Sequence, residues 1–451
     1  MPKLFGTDGV RGAANTEITP ELAFNLGRAG AYILTKANAH PNVIIGTDSR
    51  ISGDMLQTAL TAGMCSVGAN VMLAGVVPTP TIAYITRKNK LDAGVVVSAS
   101  HNAFGDNGIK FFSNGGFKLR DELEDEIEDI IQNNKLDTLP RATSTHIGRI
   151  IDAGTPANDY IDYLESTLNG ADFSSLKIAL DCANGATSRV APELFKRTGA
   201  NLVIINNNPN GININANCGS THVDGLISTV KEHNCDIGVA FDGDGDRLIC
   251  IDETGAIIDG DQIMAICGHY LASKKRLPQN TIVATVMSNL GLFEMGKKYG
   301  ITIEQTKVGD RYVLERMLEG GFKLGGEQSG HIIFSEHATT GDGILSSLML
   351  ISAMKANNAK LSELASIMEK FPQILVGAPV PAGRKEMYKT NDYIQNRIAE
   401  LDKKYAGMGR VLIRPSGTEP LVRVMIEGKN IDEITADAKS LAADIERLSH
   451  K

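Results

Sequence analysis

The chain lacks the sequence features of membrane proteins, secreted proteins and nucleotide-binding proteins. No stretch of its 451 residues approaches the roughly 18 consecutive apolar residues that a membrane helix needs. Its first residues, Met1-Pro2-Lys3-Leu4-Phe5, contain no apolar signal core. Neither a Walker lysine loop nor a GxGxxG sequence is present, so nucleotide binding has no support. These absences predict a cytoplasmic protein without a membrane partner.

Cysteine is sparse, and no two cysteines form a CxxC pair. The six thiols are scattered along the chain as Cys65, Cys182, Cys218, Cys235, Cys250 and Cys267. Such usage is typical of reduced, mostly buried thiols in a cytoplasmic protein. We expect none of them to be catalytic.

Positive charge is in deficit. The chain has 45 Lys and Arg against 53 Asp and Glu, which gives a net charge of −8. Because duplex binding requires phosphate neutralisation, this balance argues against nucleic acid as the main ligand. A small phosphorylated substrate stays compatible with it, since such a ligand needs only a local basic cluster. The apolar content of 42% and charged content of 22% are those of a globular protein.

Strand-like apolar runs alternate with helix-length segments, which predicts parallel sheets with helical crossovers. A helix is predicted from Thr19-Pro20, with Thr19 as its cap, and a second from Asp121 to Asn134, whose carboxylates we expect to face solvent. The predicted strands form a weak threefold repeat: 43–46, 71–74 and 94–97; 178–181, 202–205 and 237–240; 282–285, 301–303 and 321–324.

Four α/β domains follow from this organisation. We predict boundaries that give domains at 1–150, 151–254, 255–370 and 371–451, because polar or Pro-rich segments separate the repeats. The fold class expected is three similar α/β domains with mixed or parallel sheets, plus a smaller C-terminal α+β domain, arranged around a central cleft. Each of the first three domains would donate one loop to that cleft.

Two loops carry most of the predicted chemistry. Ser98-Ala99-Ser100-His101-Asn102 follows the apolar run 95–97 and offers a hydroxyl nucleophile, with His101 and Lys110 as groups that supply charge or move protons. Asp242-Gly243-Asp244-Gly245-Asp246-Arg247 follows the run 239–241 and offers three carboxylates at alternate positions. Both loops end strands, where open α/β sheets place their sites.

The aspartate loop predicts a Mg²⁺ site. Three carboxylates this close raise one another's pKa unless a cation neutralises them, and the glycines between them allow them to converge. An EF-hand is disfavoured because its sixth position would be Arg247 instead of glycine, with strand-like flanks. A purely structural acidic turn is the remaining alternative. A serine beside a magnesium site indicates phosphoryl transfer through a phosphoserine.

Two further loops have weaker patterns. In Arg414-Pro415-Ser416-Gly417-Thr418-Glu419-Pro420, a guanidinium, two hydroxyls and a glycine N–H are the parts of a phosphate site, and Arg423 adds a second cation. In Gly326-Glu327-Gln328-Ser329-Gly330-His331, a carboxylate and a hydroxyl two residues apart would point the same way in an extended loop. Such a pair would bind vicinal sugar hydroxyls.

Taken in this order, the four loops resemble those of the α-D-phosphohexomutase superfamily over essentially the whole chain. The opening Phe5-Gly6-Thr7-Asp8-Gly9-Val10-Arg11-Gly12 is similar to that family's N-terminal motif. Gln328 is closer to the branch that acts on glucosamine phosphates than to the phosphomannomutase/phosphoglucomutase branch, where methionine is usual. One departure is Ala103, which stands where the family usually has proline.

The resemblance implies a role for each matched residue. Ser100 would be the phosphorylated serine, and Mg²⁺ would bind Asp242, Asp244, Asp246 and a phosphoserine oxygen. Glu327 and Ser329 would bind sugar hydroxyls. The substrate's non-reacting phosphate would be bound by Arg414, Ser416, Gly417, Thr418 and Arg423. Lys110, Arg247, His101 and His331 would lie near the reacting groups, with Lys110 as the acid/base, while Arg11 would hold the serine loop.

The activity that the resemblance implies is interconversion of glucosamine 6-phosphate and glucosamine 1-phosphate through a 1,6-bisphosphate intermediate. The product would feed UDP-N-acetylglucosamine synthesis, and hexose 1,6-bisphosphate would act as an activator. A mobile last domain would let the intermediate turn. A phosphomannomutase/phosphoglucomutase is the alternative enzyme, and a non-catalytic phosphosugar- or Ca²⁺-binding module is the alternative of another class. The sequence leaves the oligomeric state open, a homodimer included.

Overall fold

The computed structural model describes residues 3–6, 8–35, 41–381, 383–416 and 420–450. These residues form two compact units. The larger one contains the chain up to Met287 together with Ile301–Ile367, and the smaller one contains Ser288–Gly300 and the chain from Met368 onward. The fold is α/β with mixed sheets and a smaller C-terminal part, as predicted.

The first sheet has six strands in the order β1-β5-β4-β2-β3-β6. Its strands β1 to β6 are Val10–Ala13, Asn42–Thr47, Asn70–Val76, Ala93–Val97, Asp106–Ser113 and Ile150–Ile151. Helices α1 to α4 of this part of the chain are Pro20–Leu34, Gly53–Ser66, Thr79–Lys88 and Asp121–Gln132. The apolar faces of α1, α2 and α4 pack on the sheet around Leu26, Leu60, Val95 and Ile127, all buried.

The second sheet has five strands in the order β11-β10-β9-β7-β8. Its strands β7 to β11 are Lys177–Asp181, Asn201–Ile205, Ile237–Phe241, Leu248–Asp252 and Ile257–Ile258. Helices α5 to α7 are Pro156–Thr167, Thr187–Arg197 and Asp224–His233. Every residue of β9 and β10 is buried, as the unbroken apolar runs of these strands predict.

The third sheet has four strands in the order β13-β12-β14-β15. Its strands β12 to β15 are Thr281–Thr285, Thr302–Thr306, Leu324–Gly326 and Ile332–Phe334. Helices α8 to α12 are Gly260–Ser273, Leu290–Tyr299, Asp310–Gly320, Gly343–Asn357 and Leu361–Ala365. Of these elements α9 belongs to the smaller unit, and the others belong to the larger one.

The threefold repeat predicted from the sequence has a counterpart in the topology. In each of the three sheets, one strand (β2, β7 or β12) pairs in parallel with the next two strands of its repeat. In each sheet the third strand of the repeat then pairs with an antiparallel strand, namely β5, β10 or β15. The loops predicted to carry chemistry connect those antiparallel pairs. In the third repeat the strand lies at 324–326, a few residues later than the predicted 321–324.

The smaller unit contains a three-stranded antiparallel sheet in the order β16-β18-β17. Its strands β16 to β18 are Gln373–Pro379, Arg410–Pro415 and Leu421–Glu427, and helices α13 and α14 are Asp392–Tyr405 and Ile431–Ser449. The core of this unit lies between the sheet and the two helices, around Ile394, Val424 and Leu441.

Two helix predictions compare differently with the structure. Helix α1 begins at Pro20, and the Thr19 side chain accepts from the Leu22 N–H at 3.2 Å, as predicted. Helix α4 is also present, but its carboxylates do not all face solvent: Glu124 is buried and pairs with Arg311 at 2.8 Å. Sequence spacing alone could not show that a distant arginine lies opposite this face.

Five of the six cysteines are buried, Cys65 is half-buried, and all six are free thiols. Among the described residues, every helix is too short or too polar to cross a bilayer.

Candidate active site

The serine loop lies between β4 and β5, and its backbone is strained at the predicted nucleophile. Ser100 is buried and has φ +54°, the left-handed region that a non-glycine residue rarely adopts. Its N–H donates to Ser98 Oγ at 2.9 Å, and the Ser98 hydroxyl donates to Asp48 Oδ2 at 2.6 Å. Such strain is typical of functional sites and persists only where the surroundings enforce it.

Arg50 enforces the shape of this loop. Its guanidinium is fully buried, pairs with Asp48 at 2.8 Å, and donates to the carbonyls of Ser100 at 3.1 Å and Asn102 at 2.8 Å. It also donates to the carbonyls of Ala103 and Asp106. Asn215, from the second repeat, donates to the Ser100 carbonyl at 2.9 Å. One planar cation therefore binds four carbonyls of this turn.

The aspartate loop connects the antiparallel strands β9 and β10, so its flanks are strands and an EF-hand is excluded at this position. Gly245 has φ +73°, and a Cβ at Gly243 would lie 2.5 Å from the Ser100 carbonyl oxygen. Glycine is therefore required for the aspartate loop to approach the serine loop. The Ser100 hydroxyl donates to Asp242 Oδ2 at 2.6 Å.

The three aspartates form a cluster that fits a divalent cation. They are all buried, and one carboxylate oxygen from each lies within 4.8 Å of the others. Burial, together with repulsion from Asp246 and Asp244, raises the pKa of Asp242 well above its ordinary value. Among the described residues, Asp244 Oδ1 and Asp246 Oδ1 are buried without a hydrogen-bond partner. Hard oxygen ligands with unsatisfied charge are the donor set that Mg²⁺ prefers.

Lys110 is buried on β5 beside this cluster. Its ammonium lies 2.7 Å from Asp244 Oδ2, 3.0 Å from Asp8 Oδ2 and 3.8 Å from Asp246 Oδ2. Burial alone would lower the pKa of Lys110, but the carboxylates of Asp244, Asp8 and Asp246 outweigh it and raise that pKa. The structure thus places Lys110 among the carboxylates, where it is held as a cation.

His331 lies beside the cluster, at the end of the loop 326–331, which is called the third loop below. Its Nδ1 is 3.5 Å from Asp246 Oδ2, its Nε2 is 3.3 Å from Asp310 Oδ2, and the Gly341 N–H donates to Nε2 at 3.0 Å. Burial lowers the pKa of His331, but the two carboxylates outweigh burial and raise it. Asp310 also pairs with Lys118, which in turn pairs with Asp8. Acidic and basic side chains therefore alternate in a row next to the cluster, in the order Asp246, His331, Asp310, Lys118 and Asp8.

The remaining predicted groups of the larger unit lie at the same site. His101 Nδ1 is 3.4 Å from Ser100 Oγ, and burial together with the cations Arg247 and Arg11 lowers the pKa of His101 to about 4. Its imidazole is therefore neutral and does not supply positive charge at neutral pH. The backbone N–H of Arg247 donates to Asp242 Oδ1 at 3.1 Å. The guanidinium nitrogen Nη1 of Arg11 lies 3.5 Å from the carbonyl oxygen of Ala99 in the serine loop.

The third loop is a turn and not the extended segment that was expected. The Gly330 N–H donates to the Glu327 carbonyl at 3.0 Å, which closes the turn. Glu327 is half-buried and its Oε1 accepts from the Gly309 N–H at 3.1 Å, whereas Ser329 is exposed. The turn is fixed to the second repeat, since the Leu248 N–H at the start of β10 donates to the Gly330 carbonyl at 3.0 Å.

The residues predicted to bind the substrate's non-reacting phosphate lie in the smaller unit, as far as they are described. Arg414 on β17 and Arg423 on β18 are directly opposite each other, and both are half-buried. Like charges at opposite positions of an antiparallel pair repel each other, and an anion between them relieves that repulsion. Ser416 is buried, and Lys385 donates to its carbonyl at 2.8 Å. The predicted Gly417 and Thr418 lie outside the described residues.

Several residues of these sites were not predicted from the sequence. They are Asp8, Asp48, Arg50, Thr79, Lys118, Asn215, Asp310 and Lys385. Thr79, at the start of α3, donates to Asp244 Oδ2 at 2.6 Å. Asp8 belongs to the N-terminal motif 5–12 that carries the family resemblance, so that motif could have identified it as a site residue. The others are single polar residues in ordinary contexts, and only the tertiary contacts distinguish them.

Comparison with protein families matches four models along the chain. They are the phosphoglucomutase/phosphomannomutase alpha/beta/alpha domain I at residues 2–138, domain II at 158–255, domain III at 259–371, and the C-terminal domain at 355–445. The order of the four models along the chain is that of the loops described above.

Full-length relatives and solved structures agree with this match. A phosphoglucosamine mutase of Caldicellulosiruptor bescii is 56% identical over 450 residues, which is 100% of both chains. The fold is similar to that of a phosphoglucomutase/phosphomannomutase family protein of Burkholderia thailandensis, with a TM-score of 0.82, 23% identity and coverage of 99% and 98%. It is also similar to an Aspergillus fumigatus N-acetylphosphoglucosamine mutase in complex with GlcNAc-6P and magnesium, with a TM-score of 0.72, 18% identity and coverage of 99% and 96%. This chain therefore belongs to the phosphoglucomutase/phosphomannomutase family, among relatives that are phosphoglucosamine mutases.

Proposed function

We propose that the chain interconverts glucosamine 6-phosphate and glucosamine 1-phosphate as an intramolecular phosphotransferase that uses a phosphoserine at Ser100. The observation that carries the proposal is the contact of the Ser100 hydroxyl with Asp242, at 2.6 Å, inside a buried cluster of three carboxylates. A positioned hydroxyl beside a cation site supplies the positioning and the charge stabilisation on which phosphoryl transfer depends. The choice of glucosamine is supported by relatives that are 52–56% identical over nearly the whole chain.

The reaction consists of two phosphoryl transfers. In the first, the Ser100 Oγ–P bond breaks, the free hydroxyl of glucosamine 6-phosphate forms a new O–P bond, and its proton passes to Ser100 Oγ. The product of this step is glucosamine 1,6-bisphosphate with an unmodified Ser100. The bisphosphate then turns end for end, and Ser100 takes the phosphoryl group from the 6-position, which leaves glucosamine 1-phosphate.

The residues around Ser100 have distinct proposed roles. Mg²⁺, bound by Asp242, Asp244, Asp246 and the phosphoserine, would stabilise negative charge on the transferring group. Lys110 is proposed as the acid/base for the sugar hydroxyl and the serine oxygen. The cations Arg11 and Arg247, and His331, would hold the phosphoryl oxygens, while neutral His101 would orient Ser100 Oγ.

The sugar and its second phosphate are bound elsewhere. Glu327 and Ser329 would accept and donate hydrogen bonds to sugar hydroxyls, and Arg414, Ser416 and Arg423 would bind the phosphate that does not react, with Gly417 and Thr418. A hexose 1,6-bisphosphate would activate the resting protein, because it can phosphorylate Ser100. Domain boundaries near 150, 254 and 370 remain part of this proposal.

A coupled assay tests the function. Purified protein with glucosamine 6-phosphate, Mg²⁺ and a trace of glucose 1,6-bisphosphate should form glucosamine 1-phosphate. Parallel measurements of kcat/KM on glucose and mannose phosphates decide the sugar: a higher value for either would replace glucosamine as the substrate. An intact mass without any phosphorylation after bisphosphate treatment would favour a non-catalytic binding module.

Ser100→Ala should abolish turnover and leave the fold intact, since the other hydroxyl of the serine loop is not free to replace it. Ser98 is the obvious competitor, but its hydroxyl is already bonded to Asp48 and accepts from the Ser100 N–H. Ser98→Ala should therefore slow turnover through a looser loop and still accept phosphate at Ser100. Mass spectrometry of peptides after incubation with bisphosphate checks both variants, and phosphate on Ser98 would show that the nucleophile is misassigned.

A further inference from the structure

Lys118 lies between two carboxylates that come from distant segments of the chain. Its ammonium pairs with Asp8 Oδ1 and with Oδ2 of Asp310, the first residue of α10. The side chains of Lys118, Asp8 and Asp310 are only 10%, 19% and 12% exposed. Burial lowers the pKa of Lys118, but the carboxylates of Asp310 and Asp8 outweigh it and raise that pKa. Lys118 is therefore held as a cation between the first and the third repeat.

The backbone that carries Lys118 is fixed on both sides. Lys118 follows β5 after a tight turn and forms an isolated antiparallel bridge with Phe112 of that strand. Within the turn, Gly116 has φ +74°, and a Cβ at this position would lie 2.3 Å from the Ala83 carbonyl oxygen. The Thr339 hydroxyl of the third repeat donates to the Gly116 carbonyl. The point from which the Lys118 side chain extends is thus well defined.

Asp8 divides its two carboxylate oxygens between two kinds of partner. Oδ1 accepts from Lys118, whereas Oδ2 pairs with Lys110 at 3.0 Å and with Arg11. The terminal torsion of an aspartate is soft, so the orientation of its carboxylate depends on what holds each oxygen. Among the described residues, Lys118 makes no ion pair with a proposed metal ligand. Its effect on the reaction must therefore pass through its carboxylate partners.

We propose that Lys118 is a positioning residue for phosphoryl transfer, which orients Asp8 and, through Asp8, the Lys110 ammonium and the Arg11 guanidinium. Asp310 anchors Lys118 from the third repeat. This role rests on the proposed function, in which Lys110 exchanges protons with the sugar hydroxyl and the serine oxygen. A misplacement of about 1 Å can cost roughly a hundredfold in rate. Binding of the substrate's far phosphate does not involve these residues, so KM should change little.

Lys118→Met tests this role because it removes the ammonium and keeps most of the apolar length of the side chain. We expect kcat to fall at least about tenfold with KM within about twofold of the parent. The rate at which glucose 1,6-bisphosphate phosphorylates Ser100 should fall in parallel, as measured by rapid quenching and intact mass. A Lys118→Met protein with the kcat of the parent would overturn the proposal.

Arg311→Met is the matched control. Arg311 lies on α10 and pairs with Glu124, at 2.8 Å, and with Asp121, so it also joins the first and third repeats. Its side chain is 15% exposed, close to the 10% of Lys118, and it makes no ion pair with Asp8 among the described residues. We expect Arg311→Met to lose stability in urea and to keep kcat within about twofold of the parent. An equal fall of kcat in both variants would show that Lys118 is only a structural contact.

A double variant keeps the test available if Lys118→Met is too unstable to purify. Lys118→Met/Asp310→Asn also neutralises the Asp310 carboxylate, which would otherwise lose the Lys118 ammonium, so it should fold more readily than the single variant. Its kcat should still be at least about tenfold low, because Asp8 has lost Lys118. Parent-like turnover by the double variant would contradict the positioning role.

The phosphosugar that the parent converts fastest is used throughout this comparison. A parent without turnover on glucosamine, glucose or mannose phosphates would contradict the proposed function and the positioning role with it. An active parent with an equally active Lys118→Met would contradict the positioning role alone.

Discussion

At the scale of single residues, the site concentrates groups that are unfavourable by themselves. Ser100 has a left-handed backbone, and three carboxylates share one buried volume. Each feature destabilises the folded chain unless a ligand or a neighbouring contact compensates for it. This arrangement is expected of a site that is completed by a cation and a phosphoryl group.

Mg²⁺ should therefore stabilise the folded protein measurably. In the parent, MgCl₂ should raise the Tm, because the ion binds the native state and not the unfolded chain. In Asp246→Asn the rise should be strongly reduced, and turnover should fall by orders of magnitude since charge on the transferring group is no longer stabilised. The exposed Asp137→Asn serves as the matched control and should behave like the parent. Full activity of the parent in excess EDTA would contradict the cation assignment.

At the scale of elements, the loops depend on side chains that come from other parts of the chain. The serine loop is bound by Arg50 from the end of β2 and by Asn215 from the second repeat. The aspartate loop is bound by Thr79 at the start of α3. The third loop is bound to β10 through Gly330. Because each loop is held by another repeat, the three are positioned together.

Arg50→Lys tests the support of the serine loop. Lysine keeps the charge and the pair with Asp48, but it cannot bind four carbonyls at once. Each charge-assisted bond contributes about 1.5–3 kcal/mol, so we expect kcat to fall at least about tenfold with KM nearly unchanged. Hydrogen exchange should increase at 100–106 and stay unchanged in the second sheet. A variant with wild-type kcat would show that the loop holds its shape without this residue.

Helix α11 should make stability depend on pH in a specific way. Its N-cap residue Asp342 is buried, accepts from the Leu345 N–H, and accepts from the Tyr160 hydroxyl at 2.5 Å. Burial raises the pKa of Asp342 to about 6. Since this is above the ordinary value of 3.8, the native state binds more protons than the unfolded chain between about pH 4 and 6. The stability from this group is present below that window and lost as pH rises through it.

Asp342→Asn removes this dependence because the amide stays neutral and still caps the helix. The variant should match the parent near pH 4 and exceed its free energy of unfolding by up to about 3 kcal/mol above pH 6. Urea denaturation at a series of pH values measures the difference between the two proteins. A constant difference from pH 4 to 7 would mean that the carboxyl titrates with an ordinary pKa.

At the scale of the whole molecule, the chain repeats one sheet topology three times and adds a different fourth sheet. The three repeated sheets lie in the larger unit, and the paired arginines Arg414 and Arg423 lie in the smaller one. Transfer chemistry and phosphate binding are thus assigned to different units. The bisphosphate intermediate turns end for end between the two transfers. The smaller unit must therefore bind the phosphate that does not react twice in each cycle, once in each orientation.

Arg414→Ala should therefore impair binding of the substrate more than chemistry at Ser100. Loss of a charge-assisted contact predicts a decrease in kcat/KM of roughly ten- to hundredfold, mostly through KM. Because the same residue would hold the bisphosphate in both orientations, more of this intermediate should escape per turnover. Phosphorylation of Ser100 by added bisphosphate should persist. An unchanged KM without extra release of bisphosphate would show that Arg414 and its loop do not bind the substrate's phosphate.

The sequence by itself determined the class of the fold and predicted which groups react. Apolar runs of strand length precede both Ser100 and the three aspartates, which indicates that these residues lie in loops at the ends of buried strands. Such a prediction is possible because it depends only on the residues of one short segment. The cap at Thr19, the repeated strands and the convergence of the three aspartates around their glycines follow from such local rules. The family resemblance then ordered the loops into one reaction.

Only the tertiary structure decided which residues support those groups. Arg50, Asn215, Lys118 and Asp310 act through partners that are distant in the chain, and nothing in their own segments distinguishes them. The same reason explains why Glu124 is buried, since its partner Arg311 lies 187 residues away. Hydrogen bonds and ion pairs depend on three-dimensional distance, whereas a sequence pattern reports only neighbours along the chain.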